Sequence, residues 1–174
     1  MSAIRFSEKQ YFRQWWILIA IIPAPVIIIV AIIQQMVLGK PFGNNPAPDS
    51  VLILTALVVI LPSFLFFVVR LETKIDETGI YYRLFPFHLK QRRIGWNEIS
   101  EAYIRKYNPI GEYGGWGLKG GRKSGKAVNV SGNMGMQLVL KDGKKLLIGT
   151  SQPDQLRHIL ESAEKKFLKP QFDQ

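Results

Sequence analysis

Apolar residues are distributed very differently in the two parts of this chain. Two long uncharged apolar runs, Trp15 to Leu38 and Val51 to Val69, stand close together in the first 70 residues, and beyond them the apolar positions come in short stretches broken by turns. The second run holds fifteen Leu, Ile, Val or Phe residues. At about −0.4 kcal/mol each on an insertion scale, these sum to about −6 kcal/mol with no charged side chain opposing them. From Trp15 to Ile33 the first run offers 19 charge-free positions, which at about 1.5 Å per residue approach the ~30 Å hydrocarbon thickness of a bilayer. The pattern predicts transmembrane helices over 15–38 and 51–70. A signal peptide would need a shorter apolar core and a small-residue cleavage site, whereas this run leaves through Gln34-Gln35-Met36-Val37-Leu38. The connector 39–50 holds two Gly, three Pro and two Asn, a turn composition, so the spans are expected to be antiparallel.

The basic residues near the spans predict an orientation. Arg5, Lys9 and Arg13 precede the first, Arg70 and Lys74 follow the second, and the connector carries Lys40 alone. The positive-inside bias then puts both termini in the cytoplasm, with residues 1–14 as a cytoplasmic basic arm. Trp15 and Trp16 fall at the inner interface, where amphipathic rings suit the headgroup level; with Tyr11 and Phe12 they could also form a short interfacial helix. Pro23, Pro25 and Pro62 are expected to kink the helices. Ala20, Ala24 and Ala31 fall near one face and would permit close helix approach.

After residue 70 the period becomes two. Leu71 to Asp76 and Gly79 to Phe85 read as strands around Glu77-Thr78-Gly79, because glycine at the end of the turn accepts the positive φ of a tight reversal. His88 to Ile94 and Ile99 to Tyr107 read as further strands. Met136 to Lys141 and Lys144 to Gly149 flank Asp142-Gly143, a two-residue hairpin signal. Between them, Asn108 to Lys126 is the one long irregular stretch. At the C-terminus the period changes again: Leu156, Ile159, Leu160, Ala163 and Phe167 fall at helical spacing, with Ser151 as expected N-cap and Pro153 in the first turn. The prediction is a membrane α-hairpin plus one mainly β domain over 71–168, closed by a C-terminal helix, with a short tail at 169–174.

Charge and chemistry narrow the function classes. Residues 71–174 hold eighteen Lys and Arg against eleven Asp and Glu, which fits an anionic partner. The chain has no cysteine, so disulfides, thiolate metal sites and cysteine nucleophiles are excluded.

Strands ended by one helix are the order of a pleckstrin-homology-like bent antiparallel barrel. The segments Ile80-Tyr81-Tyr82-Arg83, Ile94-Gly95-Trp96-Asn97-Glu98-Ile99 and Lys144-Lys145-Leu146-Leu147-Ile148-Gly149-Thr150 resemble bacterial pleckstrin-homology-like domains, many of which follow a two-span hairpin. Tyr103-Ile104-Arg105-Lys106-Tyr107-Asn108-Pro109-Ile110, with Glu112-Tyr113-Gly114-Gly115-Trp116-Gly117 and Asn129-Val130-Ser131-Gly132-Asn133, further resembles a subgroup of uncharacterised bacterial membrane proteins. The resemblance implies a fold and a location, and carries no activity. Eukaryotic pleckstrin-homology domains that bind phosphoinositides resemble one another in a K-x(n)-R-x-R pattern across the first hairpin. Here Lys74 and Arg83 occupy such places, but Phe85 stands where the second Arg should be and the turn carries Asp76 and Glu77.

The remaining motifs divide between binding and structure. Gly120-Gly121-Arg122-Lys123-Ser124-Gly125-Lys126-Ala127 matches a phosphate loop until its last position, where Ala127 lacks the hydroxyl for Mg²⁺, and strand rather than helix is expected after it. It reads as a mobile strand connection, with contact to headgroups or an acidic protein surface as the functional alternative. Lys119, Arg122, Lys123 and Lys126 crowd this loop, and Tyr113 and Trp116 lie just before it. These six are the candidate leaflet or partner contacts. Trp116, between glycines, is read as buried at the barrel end, with display to a partner the alternative. His88 and His158 lack metal-ligand spacing, and Ser131 lacks a nucleophile-elbow setting. Aromatics interleaved with Arg105 and Lys106 raise nucleic acid as a partner, but no RNA- or DNA-binding motif accompanies them. The sequence therefore predicts a non-catalytic module at the bacterial inner membrane, without cofactor or metal. It would present its domain to a protein partner or self-associate, with anionic-lipid sensing or an accessory role in a larger membrane complex as alternatives.

Overall fold

A computed structural model describes residues 6–12, 14–121 and 124–168. These fall into two compact units, residues 14–68 and residues 6–12 with 69–168.

In the helical unit, α1 (Trp15–Ile21) stops at Ile22 and α2 (Pro23–Ile32) restarts with proline in its first turn, where the missing N–H costs nothing. A π-helical turn, Ile33–Val37, continues α2, so the helix runs over Trp15–Val37, and α3 spans Asp49–Val68 with Pro62 inside it. Both are long and apolar enough to cross a membrane. Their mutual seam is narrow: Ile28 and Ala31 of α2 meet Leu52 and Ala56 of α3, flanked by Ile32, Phe42, Val59 and Ile60. Of the three alanines expected at the helix approach, Ala31 is buried, whereas Ala20 and Ala24 lie exposed, because the α2–α3 contact is centred on the turns after Pro25. Most other apolar side chains point outward, including Val26, Ile27, Leu54, Val58, Leu61 and Phe64. A core helix of a soluble domain would bury such residues. The polar groups are answered locally: Thr55 and Ser63 donate to the carbonyls of Val51 and Val59, as apolar surroundings require. Gln34 and Gln35 tie down the connector by donating to the carbonyls of Pro41 and Ala47.

The β unit holds two sheets. The first is antiparallel, in the order β1 (Phe6–Tyr11), β2 (Arg70–Asp76), β3 (Gly79–Phe85), β4 (Arg92–Gly95). The second comprises β5 (Ile99–Lys106), β6 (Gly117–Gly121), β7 (Gly125–Asn129), β8 (Met134–Leu140) and β9 (Lys145–Gly149), in the order β5-β8-β9-β7-β6, with β7 and β9 parallel. Gly125 makes that parallel pairing feasible: its φ is +78°, and a Cβ there would collide with the Lys145 carbonyl.

The inner faces share one core. Leu71, Ile75, Ile80 and Leu84 of the first sheet meet Ile99, Met136, Leu138 and Ile148 of the second. Helix α5 (Pro153–Ala163) inserts Leu156, Leu160 and Ala163 into the same core, and Ile159 packs against it. A π turn, Glu164–Leu168, extends α5 and stacks Phe167 on Trp96 with ring centroids 5.5 Å apart.

Further features depart from the sequence expectation, among them a short helix and strand β6 within the stretch Asn108 to Lys126 that reads as irregular. Residues 6–11, read as part of a basic arm, form an edge strand whose register runs from Phe6↔Ile75 to Tyr11↔Arg70. The strand expected from His88 begins only at Arg92, because the chain turns at Pro86 and the His88 N–H bonds back to the Leu84 carbonyl. Ser151 does not cap α5. Gln152 holds that position without a side-chain bond, while the Ser151 hydroxyl donates to the Glu8 carboxylate, a stronger acceptor. Finally, the described strands form two sheets and no closed barrel. After β4 a 3₁₀ turn, Trp96–Glu98, carries the chain to β5, which pairs with β8 and not with β4. One corner between the sheets therefore stays open.

Candidate functional site

Between β3–β4 of the first sheet and the hairpins of the second lies a groove of about 590 Å³. Tyr82, Arg92 and Ile94 line it from β3 and β4, Gly120, Gly125 and Lys126 from the β6–β7 hairpin, and residues 140 and 143–146 from the β8–β9 hairpin. Its composition is divided. Tyr82, Ile94, Leu140 and Leu146 form an apolar floor, and Arg92, Lys126, Lys144 and Lys145 supply the charge. Among the described residues no acidic side chain lines it. Asp142 binds Lys144 at 2.6 Å from the hairpin turn, which raises the Lys144 ammonium above its ordinary pKa by a direct hydrogen bond and offsets one of the four charges.

Of the four candidate contacts among the described residues, only Lys126 lines this groove. Cross-strand register explains why, since directly opposed residues of an antiparallel pair share a face. Lys119 pairs with Ala127, and Gly120 pairs with Lys126, so Lys119 and Lys126 lie on opposite faces of the hairpin. Arg122 and Lys123 lie outside the described residues.

Tyr113 belongs to a second cluster, on the outer face of the second sheet. There α4 (Pro109–Tyr113), capped by the Asn108 side chain on the N–H groups of Ile110 and Gly111, packs Tyr113 with Tyr107 onto Ala127 and Leu147. Polar atoms in this cluster are joined systematically. The Arg105 guanidinium donates to Gln137 Oε1 at 3.1 Å, Glu112 Oε2 at 2.7 Å and Tyr113 OH at 3.0 Å. Asn129 donates to Tyr107 OH at 2.9 Å and accepts from the Gly117 N–H at 2.9 Å. Trp116 is half-buried, with Nε1 donating to the Gly132 carbonyl. The electrostatics agree: the Glu112 bond pushes Arg105 up, the Arg105 bond holds Glu112 low, and burial pushes Tyr107 and Tyr113 up. This network draws Arg105, Tyr107, Glu112, Tyr113, Gly117 and Asn129 of those motifs into a brace against the β6–β7 hairpin, which carries Lys126 beside the groove.

Across 2–167 the sequence matches DUF6141, a family of unknown function. The chain belongs to the DUF6141 family. The match runs through β1, both apolar helices and the whole β unit, so the insertion of the helices between β1 and β2 lies inside the DUF6141 region. No curated protein and no solved structure matches the chain.

Sequence reasoning missed Arg92, Lys144 and Lys145 as groove residues. Two follow the Asp142-Gly143 turn and one begins a distant strand, so nothing local marked Arg92 as their neighbour. Arg83 of the first hairpin is engaged elsewhere: it and Arg70 both bind Glu72, at 2.6 and 2.8 Å. Burial would raise the Glu72 carboxyl, but these two hydrogen bonds outweigh it and hold the group low. Among the described residues no group of three His, Asp or Glu comes together as a metal cage.

Proposed function

We propose that this DUF6141 protein is a non-catalytic, membrane-anchored binding module of the bacterial inner membrane. Its pleckstrin-homology-like domain takes an acidic, partly apolar segment of a protein partner into the groove between its sheets. The observation that carries this reading is the division of the groove itself. An apolar floor rewards burial of side chains at about 25 cal/mol per Å², while cations at its rim select negative charge and set the encounter rate. The two packed sheets with an amphipathic C-terminal helix support the pleckstrin-homology-like assignment. The Tyr11↔Arg70 pairing supports the topology, because the chain leaves for the helices and returns from them on adjacent strands. Both ends of the hairpin then lie on one side of the bilayer, and the basic residues beside them favour the cytoplasm.

The test is a titration of the full chain in lipid nanodiscs with a fluorescent peptide of alternating Glu and Leu, against the same peptide with Gln for Glu. The acidic peptide should bind at least tenfold more tightly, about 1.4 kcal/mol, and Lys126→Glu with Lys145→Glu should abolish that preference. Equal affinity for the two peptides, or indifference to the double reversal, overturns the reading. Binding of anionic vesicles that the acidic peptide cannot compete would assign the groove to lipid headgroups.

A further inference from the structure

The connection between β3 and β4 presents a pattern that the groove does not explain. Over residues 86–91 apolar side chains alternate outward and inward: Phe87 is 57% exposed, His88 4% and Leu89 79%. His88 pins the loop from inside. Its Nδ1 accepts from the Leu84 N–H, and its ring meets Tyr82 edge-to-face at 5.9 Å. Phe87 and Leu89 are thus held out by a buried neighbour, with exposed Lys90 next in sequence. A soluble surface gains nothing from two such residues on one short loop.

Register says where this loop emerges. Tyr11 pairs with Arg70, and Arg70 pairs with Phe85, so the three stand side by side across two strand spacings, about 10 Å. Arg70 follows the end of α3 at Val68, and Tyr11 precedes the start of α1 at Trp15. Phe87 lies two residues beyond Phe85. The loop therefore leaves the sheet at the same end from which the chain departs for both apolar helices, while the Asp76–Gly79 turn marks the opposite end. At that shared end stand exposed Tyr11, Phe87 and Leu89 together with a Lys, the mixture that settles in the headgroup region, where aromatic rings and apolar side chains bury shallowly and a cation meets lipid phosphate.

We infer that the β3–β4 loop is a third membrane contact, in which Phe87 and Leu89 enter the headgroup–acyl boundary and fix the β unit against the bilayer. This rests on the reading that the two helices span a membrane, and the experiment separates the two. Because the chain has no cysteine, single substitutions label one place at a time. Phe87→Cys, Leu89→Cys, Glu77→Cys at the opposite turn and Val58→Cys in α3 are each coupled to an environment-sensitive fluorophore in the full chain, reconstituted in liposomes. Quenchers carried shallowly or deeply in the lipid are compared with aqueous iodide. The labels at 87 and 89 should lose roughly twofold more intensity to the shallow lipid quencher than the label at 77, and be protected from iodide. The label at 58 should respond to the deep quencher. Iodide quenching at 87 and 89 equal to that at 77, with 58 still quenched from the bilayer centre, overturns the loop contact while leaving the spans intact. A label at 58 open to iodide overturns both.

Discussion

Glu8 accepts hydrogen bonds from both the backbone N–H and the hydroxyl of Ser151, 143 positions further along the chain. The other carboxylate oxygen accepts from Thr150 Oγ1 at 2.8 Å, and two residues on, Gln10 Nε2 donates to the Gly149 carbonyl at 2.7 Å. The strand that precedes the apolar helices is thereby latched to the junction of β9 and α5, with Glu8 almost fully buried. Glu8→Ala removes the acceptor for three donors; Thr150 is buried, and leaving such a donor unpaired costs about 1–3 kcal/mol. Thermal unfolding of the detergent-solubilised chain should show a loss of several degrees, with Glu8→Gln milder because the amide oxygen still accepts. An unchanged melting temperature in Glu8→Ala would mean the latch contributes nothing.

Asn129→Leu tests the outer brace. It strands the Tyr107 hydroxyl and the Gly117 N–H in a site where Asn129 has no exposure, at an expected cost of about 1–3 kcal/mol. The effect should be local, since β6 is the outermost strand of its sheet. Hydrogen exchange should speed up over Gly117–Gly121 and leave the β2–β3 ladder unchanged.

His88 carries a pH dependence of definite sign. Burial, and secondarily the nearby Arg92 charge, holds its imidazole below the ordinary value, and Nε2 has no hydrogen-bond partner. The unfolded chain binds that proton near pH 6.5 while the folded chain resists it, so the contribution is complete above about pH 6.5 and declines as pH falls through the folded value. The melting temperature of the native chain should drop between about pH 7.5 and 5.5 relative to His88→Gln, which keeps an acceptor for Leu84 but does not titrate. Parallel pH profiles would remove His88 from the account.

The strand pairing on either side of the helices makes a topological prediction that cysteine accessibility reads directly. Asn44→Cys in the connector and Glu77→Cys in the β2–β3 turn should react with a membrane-impermeant maleimide from opposite sides of the membrane, with Glu77→Cys protected in intact cells. Labelling of both from the same side would refute the two-span hairpin.

What the sequence disclosed was the part whose signals are local. The apolar runs, the Asp142-Gly143 hairpin and the helical spacing of Leu156, Leu160 and Ala163 each announce themselves within a short window, and each has a counterpart in the fold. Strand β1 was illegible because its buried face carries Glu8 and Gln10 between apolar positions, and burial there depends on partners about 140 residues away. Helix α4 spans five residues, too few for a helical period. The groove was hidden for a related reason. Its cations come from β4, β7 and the β8–β9 hairpin, which meet only when the two sheets pack.

The latch at Glu8 also imposes an order on the making of this protein. During synthesis β1 emerges before its ladder partner β2, which follows only after both apolar runs have left the ribosome, and Thr150 and Ser151 appear later still. Sheet pairing must wait for the helices to find their surroundings, so a nascent chain carries an unpartnered strand through the whole of that interval. Cutting the chain at Leu71 to obtain the β unit alone would leave β2 as a raw edge, open to pairing with other copies. A β unit with its first sheet complete needs β1 as well as residues 69–168, so the helices are an insertion between two strands of one sheet.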